Sequence, residues 1–216
     1  MGKKDTVESE KSDKSDKSDK NSKALFIQRL GAYIIDIVLI ALIGSLIAAP
    51  FVDSDGLMKL YDGIYEVVEK YNASEISYNA YIAESIPLTY QLARKCGIVT
   101  LVTLFLEVLY FIVYQFSHNG QTIGKKIMKI KVISTNGEMT MNQMLVRSLI
   151  INSILFDMIV FAFVIFGSAN TYYYGTLVFE KIQNCILYVS AIMILFSKRG
   201  RGLHDLISRC EVIKEN

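Results

Sequence analysis

Apolar residues in this chain gather in long blocks instead of recurring at amphipathic spacing. "LGAYIIDIVLIALIGSLIAAPFV" (30–52), "GIVTLVTLFLEVLYFIVYQF" (97–116) and "LIINSILFDMIVFAFVIFG" (149–167) are the clearest. Each holds about 20 residues, enough for a helix to cross a hydrocarbon layer of ~30 Å. A fourth block, "GTLVFEKIQNCILYVSAIMILF" (175–196), is interrupted by Glu180 and Lys181, and its clean part, 182–196, is short for a span. The pattern predicts an all-α integral membrane protein, a bundle of about four transmembrane helices. One soluble stretch changes period. "KIKVIS" (129–134) alternates as a strand does, and Asn136-Gly137 is a strong turn signal. A small cytoplasmic β-hairpin is expected there, and "EVIK" (211–214) is placed to add a strand to it.

Charge orients the blocks, because loops rich in Lys and Arg stay on the cytoplasmic side. Seven Lys precede Arg29, four Lys and one acid lie in 117–144, and five Lys or Arg follow Phe196. The 53–93 segment instead carries seven acids and two Lys. Both termini are therefore expected in the cytoplasm of a cell whose plasma membrane the chain crosses, with 53–93 as an acidic extracellular loop between the first two helices. Arg94 and Lys95 are discordant there and are assigned to the headgroups, where long basic side chains snorkel. Residues 1–23 contain the repeat "KSDKSDKSD" with no apolar residue, and are expected to form a disordered head. The membrane domain is then 24–214. A net charge of +2 gives no sign of a nucleic-acid partner. The expected partner is the lipid bilayer, with inner-side lysines toward anionic headgroups.

Polar residues inside the blocks change the picture further. Arg29 and Asp36 are seven residues apart, about two helical turns, so they share one face with Tyr33 between them. Glu107 and Asp157 lie about ten residues from their helix ends, hence ~15 Å deep. A charge at the centre of a bilayer costs about 2.5–3.5 kcal/mol on insertion scales. Such residues pair, stay protonated, or line a wet path, and Asp36, Glu107 and Asp157 are read as a candidate ion or proton path. The competing reading is polar glue between helices, worth about 0.6 kcal/mol per contact. Gln115, Asn152, Ser45 and Ser153 add polar groups, and Gly44-x-x-x-Ala48 is spaced for a close helix contact. In the tail, Asp205 sits within an apolar run on the same side as Arg29, and an Arg29–Asp205 ion pair is expected.

Several chemistries are set aside. Gly120 to Lys125 imitates a phosphate loop, but three residues separate the glycines where four are needed, and Lys126 follows where a Ser or Thr is required. His118 and His204 stand apart and make no metal site. Cys96, Cys185 and Cys210 form no CxxC pair and read as small apolar filler. No nucleophile–base set is spaced for catalysis, so neither an enzyme nor a cofactor is expected.

Three stretches together resemble the RDD family of membrane proteins, named for one arginine and two aspartates. They are "RLGAYIIDIVLI", "GQTIGKKIMKIKVISTNGEMTMNQMLVRSL" and "RGRGLHDLI". The resemblance covers roughly 25–214 and places the arginine at Arg29 and the aspartates at Asp36 and Asp205. Gly120, Thr122, Gly124, Lys125, Gly137 and Arg147 also fall on family-like positions, whereas Glu107 and Asp157 do not. It implies a small multi-span protein, some relatives of which are thought to exchange sodium or other monovalent cations for protons. The expected function is monovalent cation/proton antiport or related small-solute transport, by a homo-oligomer because four spans are few for a path. The alternative is a non-catalytic scaffold or accessory subunit that binds a partner through its tyrosine-rich outer loop.

Overall fold

The computed structural model describes residues 23–215. The charged head expected at 1–23 lies, apart from Lys23, outside the described residues. Among the described residues, three helices are long and apolar enough to cross a membrane, and a bent pair makes a fourth candidate.

Helix α1, Phe26–Ala48, runs on through a 3₁₀ turn, Ala49–Phe51, where Pro50 occupies the first turn. Its buried residues are Ala32, Asp36, Ile40, Gly44 and Ala48, one at every fourth position. All other faces carry exposed apolar side chains such as Leu42 and Leu46, as expected of a helix surrounded by lipid. A Cβ on Gly44 would sit 3.3 Å from Thr103 Oγ1, so the small residues expected to permit close approach do so against the second span. That span, α4, is Gly97–Ser117. Within it, Leu109–Tyr114 is wound as a π-helix, and Ser148 Oγ donates to the Phe111 carbonyl there at 2.8 Å.

Two helices fill the segment expected as an acidic outer loop: α2, Ser54–Asn72, and α3, Tyr78–Lys95. Asp53 and Ser77 cap them by accepting from the Gly56 and Ala80 amides. Leu60 and Val67, two turns apart, are the residues that α2 buries. Lys95, assigned to headgroups by sequence, pairs with Asp53, and the Arg94 guanidinium lies 5.8 Å from the Tyr90 ring centre. Both residues nonetheless remain exposed.

The third apolar block is not one straight span. Helix α6, Met141–Ile151, and α7, Ile154–Phe166, meet at 65°. Asn152 ends α6, and Ser153 takes a left-handed conformation, φ 60°. Gln183, from the helix that follows, bridges the break by donating to the Ile150 carbonyl and to Ser153 Oγ. Asp157 consequently lies in the first turn of α7, not midway along a helix reaching back to Arg147. The fourth span, expected to be short, is the longest: α8 covers Ala169–Phe196, 28 residues, capped by Ser168.

No local hairpin forms. Strand β1, Ile130–Ser134, pairs antiparallel with β2, Cys210–Lys214, in the register Ile130↔Lys214, Val132↔Val212 and Ser134↔Cys210. The Asn136-Gly137 turn exists, with Gly137 at φ +107°. It leads instead into α6, because Thr140 and Gln143 form a reciprocal cap that starts a helix. Val212 and Cys210 join Ile130 and Val132 in one apolar cluster with Ala24 and Ala32. Lys23 bridges to Ile213, and the Ala24 amide donates to the Val212 carbonyl. The start of α1, the middle loop and the tail are thereby joined at one end of the bundle. Two short helices complete that end: α5, Ile123–Ile127, and α9, Leu203–Ile207.

Candidate functional site

Asp205 is fully buried, and its carboxylate gathers donors at the end of the bundle that carries the sheet. Arg29 Nη1 donates to Oδ2 and Arg147 Nε to Oδ1, each at 2.9 Å. The Gly202 amide also donates to Oδ2, at 3.2 Å, and His204 Nε2 lies 3.2 Å from Oδ1. Burial alone would raise the Asp205 pKa. The neighbouring Arg147, His204 and Arg29 outweigh it and hold the carboxyl far below the usual carboxylate range. Burial also lowers the His204 pKa below that of free imidazole. We therefore take the ring as neutral at neutral pH, serving Asp205 as a hydrogen-bond donor and not as a charge. Its Nδ1 then accepts from Ser190 Oγ at 2.6 Å, while Ser190 Oγ accepts from the Leu203 amide. That row docks α9 onto α8.

Asp36 is equally buried but has different partners. Its Oδ1 accepts from Tyr110 Oη at 2.6 Å and from the Gly124 amide at 2.8 Å, and its Oδ2 accepts from Thr122 Oγ1 at 2.5 Å. No Arg29 contact is formed among the described residues. Asp36 instead caps α5 from outside, where free amides favour an anion. The glycines of "GQTIG" make this approach feasible. A Cβ on Gly124 would lie 2.2 Å from the Ala32 carbonyl, and one on Gly120, at φ +81°, would lie 2.1 Å from that of Val132. Gln115 Nε2 donates to the Gly120 carbonyl. Lys125 sends its ammonium inward, 3.4 Å from Gln115 Oε1 and from Thr122 Oγ1. Burial, reinforced by the Arg147 charge, pushes its pKa down to about 7.

Between these two nodes lies a cavity of about 170 Å³, lined by Arg29, Tyr33, Asp36, Lys125, Arg147 and Asn152 on its polar side. Deeper in the bundle, Glu107 of α4 is 8% exposed, and its Oε2 has no hydrogen-bond partner among the described residues. Asp157 is within electrostatic reach of it, and Tyr33 is close to both. No basic group pairs with either carboxyl among the described residues.

The family model of the RDD family matches residues 23–209, nearly all of the described chain. The chain belongs to the RDD family. No curated protein and no solved structure matches it.

In this RDD protein the charges carried over by resemblance occupy two separate nodes, one around Asp205 and one around Asp36. Arg147, singled out only as a loop-motif position, is the second arginine on Asp205. Tyr110 was not singled out at all, nor was the Ser190–His204 row. Tyr110 has no local signal, because its partner is 74 residues away in sequence. Glu107 and Asp157, chosen for depth alone, come close to each other. Asp36 makes no hydrogen bond to either.

Proposed function

We propose that this protein exchanges a monovalent cation for protons across the plasma membrane, with both termini in the cytoplasm. The observation that carries the reading is Glu107 and Asp157: two carboxyls within electrostatic reach of each other in the bundle, with no counter-ion and no donor on Glu107 Oε2 among the described residues. A bare carboxylate in an apolar interior is costly, so each must hold a proton or a cation. One site that alternates between the two is the minimum device for exchange. Two local irregularities support it. The π segment begins two residues after Glu107, and such segments recur at functional sites. Asp157 follows a helix break, and transporters use discontinuous helices to bring backbone carbonyls to ions. Asp36 leaves the path in this reading, because its oxygens are already occupied by three donors. A homo-oligomer is part of the proposal, supported by Glu180 and Lys181, which lie on the exposed face of α8. We also propose a non-enzymatic protein. Ser190, His204 and Asp205 are aligned, but Asp205 is held by two arginines.

Proton flux in proteoliposomes under an imposed sodium, potassium or lithium gradient tests the proposal. Cation-dependent flux is expected in the unmodified protein and is expected to fall at least tenfold in Glu107→Gln. Flux that survives unchanged in Glu107→Gln and Asp157→Asn, or that never appears, overturns it.

The scaffold reading keeps one specific observation. The outer pair α2–α3 presents exposed Met58, Tyr61 and Tyr65, and a cavity of about 660 Å³ opens where α3 meets the start of α8. Removing 55–90 with loss of a co-purifying protein and intact flux would favour that reading for the hairpin.

A further inference from the structure

The cavity between the Asp205 and Asp36 nodes has a surplus of donors and a deficit of acceptors. Arg147 is 94% buried by its 6% side-chain exposure and spends only Nε on Asp205. Its two terminal nitrogens make no hydrogen bond among the described residues. Arg29 adds a buried Nε with no partner, although its terminal nitrogens are held by Asp205 and the Val212 carbonyl. Lys125 makes two long hydrogen bonds, each 3.4 Å, and its ammonium lies 5.8 Å from the Phe111 ring centre. The two carboxylates nearby are spent. Asp36 receives three donors and Asp205 receives donors from Arg29, Arg147, His204 and Gly202. Buried donors left unmade are costly, and arginine forks match tetrahedral oxyanions by paired N–H contacts.

We propose that this cavity binds the phosphate group of a membrane phospholipid from the leaflet on the side of β1 and β2. Arg147 provides the fork, and Arg29 and Lys125 add charge. The lipid source, as against a free phosphate, follows from the walls. Leu30, Leu187, Ala191 and Ile194 line the same cavity, and Leu30 and Tyr33 on its α1 rim are exposed where lipid surrounds the helix. An acyl chain can follow that apolar wall along α1 and α8 while the phosphate stays among the arginines. The proposal is independent of transport, because none of these residues is Glu107 or Asp157.

Thermal melting of the full chain in a non-ionic detergent reads this out. Adding phosphatidylglycerol is expected to raise the midpoint by a few degrees, since a ligand bound only to the folded state stabilises it. Inorganic phosphate in excess is expected to leave it unchanged. Ala191→Phe fills the wall without touching either ion pair, and is expected to abolish the lipid-dependent rise. Lys198→Gln, an exposed charge, is expected to retain it. Native mass spectrometry provides a second reading, with one tightly retained phospholipid in the unmodified chain and none in Ala191→Phe. An equal rise with inorganic phosphate would assign a small soluble anion instead and overturn the lipid. A rise that persists in Ala191→Phe, or no rise at all, would overturn the site.

Discussion

Asp205 collects four donors on two oxygens, and two of them are arginines from helices far apart in sequence. That asymmetry decides what each substitution does. Removing Asp205 leaves Arg29 and Arg147 enclosed without their anion, whereas removing Arg29 leaves Asp205 still held by Arg147, His204 and Gly202. Breaking a buried pair from one side costs about 3–5 kcal/mol. Asp205→Ala should therefore lower the melting midpoint more than Arg29→Ala does, and the double variant should be no worse than Asp205→Ala. Strictly additive losses in detergent melts would refute the coupling. Lys125 supplies the pH dependence at this scale. Its native pKa is near 7 and its unperturbed value is 10.5. Between those values the unfolded chain binds a proton that the native chain does not, so stability rises with pH across that window. Melts from about pH 6 to about pH 9 should climb more steeply in the unmodified chain than in Lys125→Met. Parallel curves would show that the ammonium is not buried as described. The first half of the pattern was legible. Arg29 and Asp205 share one side and opposite charge, so their pairing followed from topology alone. Arg29 and Asp36 do share one face, on the same cavity, but the donors of Asp36, namely Tyr110, Thr122 and Gly124, lie 74, 86 and 88 residues away. Helix spacing speaks only of its own helix.

Elements were readable where lipid imposes a length and unreadable where polar groups find distant partners. The three apolar blocks mark where spans lie, because a bilayer core demands about 20 apolar residues. Hydropathy averages over Asn152 and Ser153, so the break between α6 and α7 left no trace in it. The break depends on Gln183, which comes from another helix and takes up the Ile150 carbonyl. Gln183→Leu removes that donor and leaves a carbonyl unpaired in an apolar layer, a loss of about 1–3 kcal/mol. Its melting midpoint should fall, while Gln183→Asn, a shorter amide, should lie between the two. Equal midpoints for Gln183→Leu and the unmodified chain would mean that the bend is set by packing alone. The strand pairing illustrates the same limit. Alternation located β1 correctly, and "EVIK" (211–214) was placed beside it, as β2 is, but the local turn signal added a hairpin partner that does not form. β2 lies 76 residues beyond the register partner Ser134, at Cys210.

On the scale of the whole molecule, contacts at both ends of the bundle count its crossings. At one end, Gln143 of α6 donates to Ser134 and to the Arg209 carbonyl, so α6 starts beside the sheet. At the other, Tyr90 of α3 donates to the Gly167 carbonyl at 2.8 Å, so α7 finishes beside the outer helices. α8 then returns from Ala169 to the Ser190–His204 row beside α9. The bent pair thus reaches from one end of the bundle to the other despite its 65° angle, which makes it the fourth candidate span, with Lys23 and β2 meeting at one end. In the proposed orientation that end is cytoplasmic, since the basic loops gather there and the acids gather on α2–α3. Side-specific labelling makes this testable. In a background lacking Cys96, Cys185 and Cys210, a membrane-impermeant maleimide added to intact cells should label Glu66→Cys on α2. It should label Lys198→Cys only after permeabilisation. Glu66 and Lys198 are both exposed, so accessibility in water does not limit either. Labelling of both positions in intact cells would require an even number of crossings between them. The bent pair would then be a re-entrant segment, and the contacts of Tyr90 with the end of α7 could not form in the membrane.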